Sequence, residues 1–398
     1  MIRAVDAPLL DGFVVVDLTR ALAGPQASMM LADLGARVIK VESFEGDESR
    51  GWGPPFVGDD AVSTYFLSCN RNKESVTADL KSDDGRRLLE ALVRQADVLI
   101  ENFRPGVLAR LGLSPERLEE LNPGLVLCSL SGFGHDGPDA QRPGYDQIAQ
   151  GEAGLMSITG PAGEPTKVGV PIGDLLTGMN GAFGVVVALL ERERTGRTRP
   201  VRTSLLAGIV GIHAFQGTRY TVAGVVPGGE GNHHPSISPY GLFRTAGAPI
   251  QIACGNDALW HRLCAALEIE VENPSWAKNA VRVEHRDRVT AVLEDILMTE
   301  SAEHWLGVLA EAGIPAGRVR TLDEVYDWEQ TRSQGLVVEV DHPVLGRIEL
   351  PGPALRFGDN DYAGGRESHT APPLLGQHND AVRSWLGLDS HSVKEVNA

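Results

Sequence analysis

Cysteine is scarce in this chain: four residues in 398, none in a Cys-x-x-Cys pair. Cys69, Cys128, Cys254 and Cys264 are too scattered for a zinc knuckle or a disulfide framework, so a reducing, cytoplasmic setting is expected. Basic charge is short as well. Lys and Arg number 36 against 53 Asp and Glu, a formal net charge of −17. Nucleic acid and anionic membrane both call for a basic surface, so neither is expected as a partner. The longest uninterrupted apolar run, around residues 184–190, falls short of the ~18 residues that cross a bilayer, and residues 1–8 lack the apolar core of a secretory signal. No segment repeats and none is of low complexity. The dinucleotide fingerprint Gly-x-Gly-x-x-Gly is missing after the first predicted strand, where Ala21-Leu-Ala-Gly-Pro-Gln26 stands instead, which argues against NAD. A Gly-x-Ser-x-Gly elbow is missing too, so a serine hydrolase is unsupported. His233 and His234 are adjacent but have no third ligand at useful spacing, and no metal is expected. His135, in a Gly/Asp/Pro-rich stretch, reads as a loop residue.

What the chain does have is an alternation of strands and helices. Residues 12–18 read as a buried strand, 26–34 as a helix stopped by Gly35, and 37–42 as a second strand. That is a βαβ unit, hence parallel and right-handed. The pattern recurs in a helix at 84–96, a strand at 97–101, a helix opened by Ser114-Pro115-Glu116, and a strand at 124–130. The expected fold class is α/β, a Rossmann-like doubly wound large domain beside a smaller α+β domain. A short strand at 201–203 runs into one long helical stretch, 204–222. Residues 224–239, with four glycines and three prolines, then read as a linker or active-site loop. A hairpin over 240–254 and helices at 257–267, 285–298 and 302–312 follow, and 336–350 reads as paired strands turning at 342–346. The expected domains are 1–223 (large), 224–239 (loop), 240–315 (small) and 316–398 (return to the large domain).

Residues 165–196 look central. Pro165 and Pro171 keep the first part out of a helix, 175–194 reads as one helix, and Gly196 ends it. Asp174 stands where an N-cap belongs. Gly169, Gly173, Gly178, Gly181 and Gly184 leave room for another backbone or a ligand to approach. An aspartate here is a cap, a nucleophile, or both, and periodicity does not choose. Two groups of polar and basic residues sit near strand ends, where ligands dock in open α/β sheets. One is Asn70, Arg71, Asn72 and Lys73; the other is Asn102, Phe103 and Arg104, with Arg110 just beyond. Together they are candidates to hold the phosphates of a nucleotide-like ligand.

Seven ordered segments resemble the family III CoA-transferases, the group that includes formyl-CoA transferase and carnitine CoA-transferase. They are Val16-Asp-Leu-Thr-Arg-Ala-Leu-Ala-Gly-Pro25, Ala32-Asp-Leu-Gly-Ala-Arg-Val-Ile-Lys-Val-Glu42, Asn70-Arg-Asn-Lys73, Glu101-Asn-Phe-Arg-Pro-Gly106, Gly144-Tyr-Asp-Gln-Ile-Ala-Gln150, Gly173-Asp174 and Pro373-Leu-Leu-Gly-Gln-His378. The resemblance implies that Asp174 is the catalytic nucleophile and that coenzyme A enters as an acyl-CoA co-substrate. It implies CoA contacts from Leu22, Ala23, residues 70–73, Asn102, Phe103, Arg104, Arg110 and the segment near Tyr145. It also implies an interlocked homodimer acting on acyl-CoA and carboxylic acids. Residues 231–240 follow the pattern Gly-Asn-x-His-Pro-Ser-Ile-x-Pro-Tyr, which resembles members acting on dicarboxylates rather than the formyl-CoA type. Ser43 stands where some members have a CoA-contacting arginine. The α-methylacyl-CoA racemases share the fold and aspartate but place a histidine base where this chain has Tyr145, which favours transfer over racemisation. His233, His234 and Arg244 are conceivable carboxylate contacts, 224–239 a candidate lid, and the amides at the head of the central helix candidate oxyanion donors. An acyl-CoA isomerase on the same scaffold, or a binding protein using Asp174 only as a cap, are the alternatives.

Overall fold

The computed structural model describes residues 8–269, 274–359 and 362–388. Residues 1–7, which carry most of the stretch read above for a secretory signal, lie outside the described residues. The described residues fall into two compact units, one within Met1–Ala153, Gly169–Thr218 and Trp328–Ala398, the other within Gly154–Val168 and Arg219–Asp327.

The first unit is built on a six-stranded sheet. Its strands are β1 (Val14–Asp17), β2 (Arg37–Glu42), β5 (Lys73–Thr77), β6 (Val98–Glu101), β7 (Val126–Ser131) and β8 (Val201–Ser204). Between β2 and β5 lies a small antiparallel ribbon, β3 (Phe56–Val57) and β4 (Val62–Ser63). The order is β5-β2-β1-β6-β7-β8 with every pairing parallel. The chain therefore reverses its direction of travel across the sheet between β1 and β6, the crevice where open α/β sheets bind ligands. Strand residues alternate between the two faces. Val16, Ile39 and Leu99 pack with Leu88 and Leu92 of the helix Asp83–Gln95. Val15, Val38 and Ile100 pack with Leu31 of the helix Ala23–Asp33 and with Ala182 and Val185 of the central helix, Ile172–Thr195.

The central helix lies directly on Ala23–Asp33 because glycine lets it. A Cβ at Gly178 would meet the Ala23 carbonyl oxygen at 2.6 Å, and one at Gly184 would meet Val201 Cγ1 at 2.5 Å. Much of the room the glycines make is thus filled by neighbouring elements. By length and composition this helix, taken whole, can cross a membrane, which its uninterrupted apolar run did not suggest. Here its buried side packs on the sheet. The helix expected over 204–222 is two, Leu205–Gly211 and Ala214–Thr221. Ala214 breaks it with φ +47, and His213 Nε2 meets the Ala153 carbonyl at 2.8 Å, a tie 60 residues away in sequence. After the hairpin β12 (Val337–His342) and β13 (Gly346–Pro351), the unit closes with the helix Asn379–Trp385, whose Val382 joins the core of the sheet.

The second unit has an antiparallel sheet, order β11-β10-β9, of β9 (Tyr240–Phe243), β10 (Ile250–Ala253) and β11 (Ala316–Arg318). Trp260, Leu263, Val289, Leu293, Trp305 and Leu309 build its core with the strands. Residues 222–239 have no helix or strand. Arg286 pins them, donating to Glu230 and to the carbonyls of His234 and Pro235.

Candidate active site

A cleft of about 1180 Å³ opens at the carboxyl ends of the parallel strands, lined from β1 by Leu18–Ala21, from β6 by Asn102–Pro105 and from β7 by Leu130–Gly132. Under its floor lies a buried ionic network. Asp17, at the end of β1, faces Lys73 Nζ at 3.2 Å, while Lys40 Nζ lies 2.8 Å from Asp47 and 2.8 Å from the Thr19 carbonyl. Burial pushes the Asp17 carboxyl up, but the Lys73 and Lys40 ammoniums and donors from Ser28 and Thr19 outweigh it and hold it at about 2. The network fixes the turn after β1, where Ala21 takes φ +67 and donates its N–H to Asp47. Asn102 completes the turn, its side chain pairing with both the N–H and the carbonyl of Arg20.

Asp174 is not the N-cap of the central helix. Pro171 holds that position and Asp174 is the third helical residue. The cap comes from elsewhere: Asp146 Oδ1 accepts from Gly173 N at 2.7 Å and from Asp174 N at 3.4 Å, and its Oδ2 accepts from Gln150. Those amides are therefore engaged by a carboxylate, which removes them as the expected oxyanion donors. Gly173 makes the contact fit, since a Cβ there would lie 3.1 Å from Asp146 Oδ1. Relieved of capping, the Asp174 carboxyl is partly buried at the cleft wall and has no side-chain hydrogen bond or ion pair among the described residues. Burial first, and the Asp146 charge second, push it up to about 7. Tyr65 and Trp52 line the cleft too, ring to edge at 4.8 Å. Burial, and next the charge of Asp174, push the Tyr65 hydroxyl well above the usual phenol range, so it stays a donor.

That pKa carries a stability consequence. Below about pH 4, Asp174 is neutral in both folded and unfolded chains and costs nothing. As pH rises towards 7 the unfolded chain ionises and the folded one does not, so stability falls, and above 7 the penalty is constant. A rise from the usual aspartate range to about 7 corresponds to about 4 kcal/mol at most, and solvent screening reduces it to roughly 1–3 kcal/mol. Asp174→Asn is therefore expected to be more stable than the parent at pH 8 and equal to it at pH 4. Urea unfolding at both pH values checks this, and equal stability at pH 8 would overturn it.

The remaining sequence candidates divide. Ala23, Asn102, Phe103, Arg104 and Tyr145 line the cleft with Asp174. Leu22 is buried beside Met29 and Cys69 instead. The 70–73 loop, expected on phosphates, is internal. Arg71 forks onto Asp33 and donates to the Pro351 carbonyl, and Asn72 bonds Asp33 and Thr370. Lys73 Nζ spends its three donors on Asp17, the Pro25 carbonyl and Asn70. These side chains are buried and hold the fold, each cation on a buried carboxylate from a distant segment. Arg110 is exposed and does not line the cleft. In the second unit, His233 sets its ring edge-on to Phe243, His234 accepts from Ser236 N, and Arg244 forks onto Glu294. Arg20 and Lys81 were not singled out by sequence; with Arg104 they line the cleft, exposed and without a side-chain partner among the described residues. All three lie just past strand ends, the positional signal that could have found them. An acyl-CoA fits this set: three available cations for its phosphates in a cleft that also holds the partly buried, unpaired Asp174 carboxyl.

Comparison with known proteins points the same way. The model of CoA-transferase family III matches residues 10–379. The succinyl-CoA:glutarate CoA-transferase of Homo sapiens is 36% identical over 392 residues, 97% of this chain and 88% of that protein. The succinate–glutarate CoA-transferase of Agrobacterium fabrum is 40% identical over 355 residues, 86% of this chain and 89% of that protein. The crystal structure of a CaiB/BaiF family protein from Brucella suis superposes with a TM-score of 0.85 at 39% identity, covering 96% of this chain and 100% of that one. A match over nearly the whole chain, with relatives this similar, makes the chain an enzyme that belongs to family III of the CoA-transferases.

Proposed function

We propose that this enzyme moves CoA from an acyl-CoA donor to a dicarboxylic acid, with Asp174 as the nucleophile. The observation that carries the proposal is the Asp174 carboxyl itself: unpaired among the described residues, at the cleft wall, with its helix capped by Asp146 instead. Relatives named for succinate and glutarate support the acid class.

An Asp174 oxygen attacks the donor's thioester carbon, the C–S bond breaks, and CoA leaves as the thiolate. The thiolate then attacks the aspartyl carbon of the mixed anhydride, releasing the donor acid and leaving an aspartyl-CoA thioester. The acceptor carboxylate attacks that carbon in turn and expels the thiolate. The thiolate attacks the acceptor's acyl carbon, forming the new acyl-CoA and freeing Asp174. Each intermediate stays activated, so no step needs an external energy source. A carboxyl held near 7 is a more basic, stronger nucleophile than an ordinary aspartate and is still about half ionised at neutral pH. Both intermediates hydrolyse, so water must be kept away from them. The proposal includes a homodimer. Met179, Phe183, Val187 and Leu190 form an exposed apolar stripe at helical spacing on the central helix, a face suited to a second copy.

Trapping tests the covalent route. Incubation with succinyl-CoA and hydroxylamine, then digestion and mass spectrometry, is expected to show a hydroxamate at Asp174. If a panel of acyl-CoAs leaves Asp174 unmodified while solvent deuterium enters an acyl α-carbon, the isomerase alternative replaces this one.

A further inference from the structure

A diacid brings a second negative charge to a wall that already holds Asp174 and Asp146. Something cationic must meet it. Among the residues between Leu130 and Leu205 that line the cleft, Arg142 is the one cation. The other lining cations, Arg20, Lys81 and Arg104, follow the ends of β1, β5 and β6.

Arg142 is held ready rather than free. Its guanidinium lies over the buried Phe133 ring, 4.6 Å from the centroid, and Nη2 donates to Glu152 at 2.7 Å. Nη1 is 3.5 Å from Asp139, a loose contact, and Nε has no partner among the described residues. Glu152 ends the helix that Asp146 begins, so the guanidinium is tied to the element that caps the Asp174 helix. The backbone beneath is fixed as well. Gly132 and Gly144 touch so closely that a Cβ on Gly144 would sit 2.6 Å from Gly132 Cα, which ties the Arg142 loop to the end of β7. Its ion pairs join groups that are 39–55% exposed. Exposed pairs contribute little, so a substrate carboxylate competes with them readily, and a planar guanidinium fork suits a carboxylate.

We infer that Arg142 is the specificity residue for the acid substrate and receives the distal carboxylate of a dicarboxylic acid while the other carboxylate reacts. This rests on the transfer to dicarboxylic acids proposed above. The test compares glutarate with its monoamide, which has the same length but lacks the distal charge. The wild-type enzyme alone tests the broader reading: transfer to neither glutarate nor any other diacid tried would overturn it and this inference with it. Given diacid transfer, wild type should prefer glutarate over the monoamide in kcat/KM. Arg142→Gln should erase about 10- to 100-fold of that preference, mostly through KM, and Arg142→Lys should restore part of it. Inhibition by free CoA reports folding and the nucleotide end of the cleft in the same samples. An unchanged glutarate preference in a variant that binds CoA normally would overturn the assignment. So would a CoA inhibition constant rising in step with the glutarate KM, since the arginine would then serve the thioester.

Discussion

Asp174→Asn is expected to lose CoA transfer by about 10⁴-fold or more, with acyl-CoA binding largely retained. The amide keeps the shape of the side chain but has no anionic oxygen to attack a thioester. Asp146 lies closest in chemistry, but its two oxygens accept from Gly173, Asp174 and Gln150. Asp174→Glu separates position from charge. Its extra methylene displaces the nucleophile by more than an ångström, which costs about 10²-fold or more where attack geometry is narrow. Transfer between succinyl-CoA and a diacid, followed by chromatography of the CoA esters, measures both variants. A protein using Asp174 only to start a helix would lose no activity on this substitution, because the cap belongs to Asp146. Retention of transfer within tenfold by Asp174→Asn would remove the nucleophile role. The same variant is expected to be the more stable protein at pH 8, so a loss of activity cannot be put down to misfolding.

Much of the frame is legible locally. The strand Arg37–Glu42 follows from an apolar run after Gly35, and the helix Asp83–Gln95 from its apolar spacing and the Ser82 cap, whose Oγ accepts from Gly85 N. The hairpins follow from short turns between β-prone runs. Illegible features depend on partners far along the chain. Asp146 is 27 residues from the helix it caps, and Arg71 is 38 from the aspartate that consumes its charge. A basic residue near a strand end looks alike in sequence whether it faces solvent or a buried carboxylate. Arg104 and Lys73 had the same appearance, yet one lines the cleft exposed and the other is fully enclosed. The nucleophile candidate was legible through the ordered segments around it, whereas its environment was not. Nothing local to residues 171–178 reveals that another aspartate takes over the cap, or that burial and then that second charge raise the pKa of Asp174.

The buried network beneath the cleft makes the second large prediction. Asp17→Asn is expected to destabilise the protein by about 3–5 kcal/mol at pH 7, because it strands a charge that cannot reach water. Lys40 keeps Asp47 at 2.8 Å, but Lys73 loses its nearest carboxylate, which lies 3.2 Å away. Both lysine side chains are fully buried. The asparagine is nearly the same shape, and its one oxygen can still accept from Thr19, but its NH2 replaces the oxygen that accepts from Ser28 and faces Lys73, so the loss combines the missing charge with those two contacts. The pH dependence identifies the cause. Asp17 is depressed to about 2 in the folded chain, so its contribution is present above about pH 4 and fades as pH falls towards 2. The gap between parent and variant should therefore close in acid. It should also narrow at high pH, because burial already lowers the pKa of Lys73 and an orphaned ammonium there discharges more easily. Replacing both partners, Asp17→Asn with Lys73→Met, removes the stranded charge. The double variant should then lose less than the sum of the two single variants, by about 1–3 kcal/mol. Urea unfolding of the four proteins at pH 7 measures this coupling. An Asp17→Asn cost below about 1 kcal/mol, or strict additivity, would mean that water reaches Lys73 and the floor of the cleft is softer than its packing implies. If the coupling is found, the turn from Thr19 to Ala23 is held by charge, and Asp17→Asn should weaken acyl-CoA binding at neutral pH although Asp17 does not line the cleft.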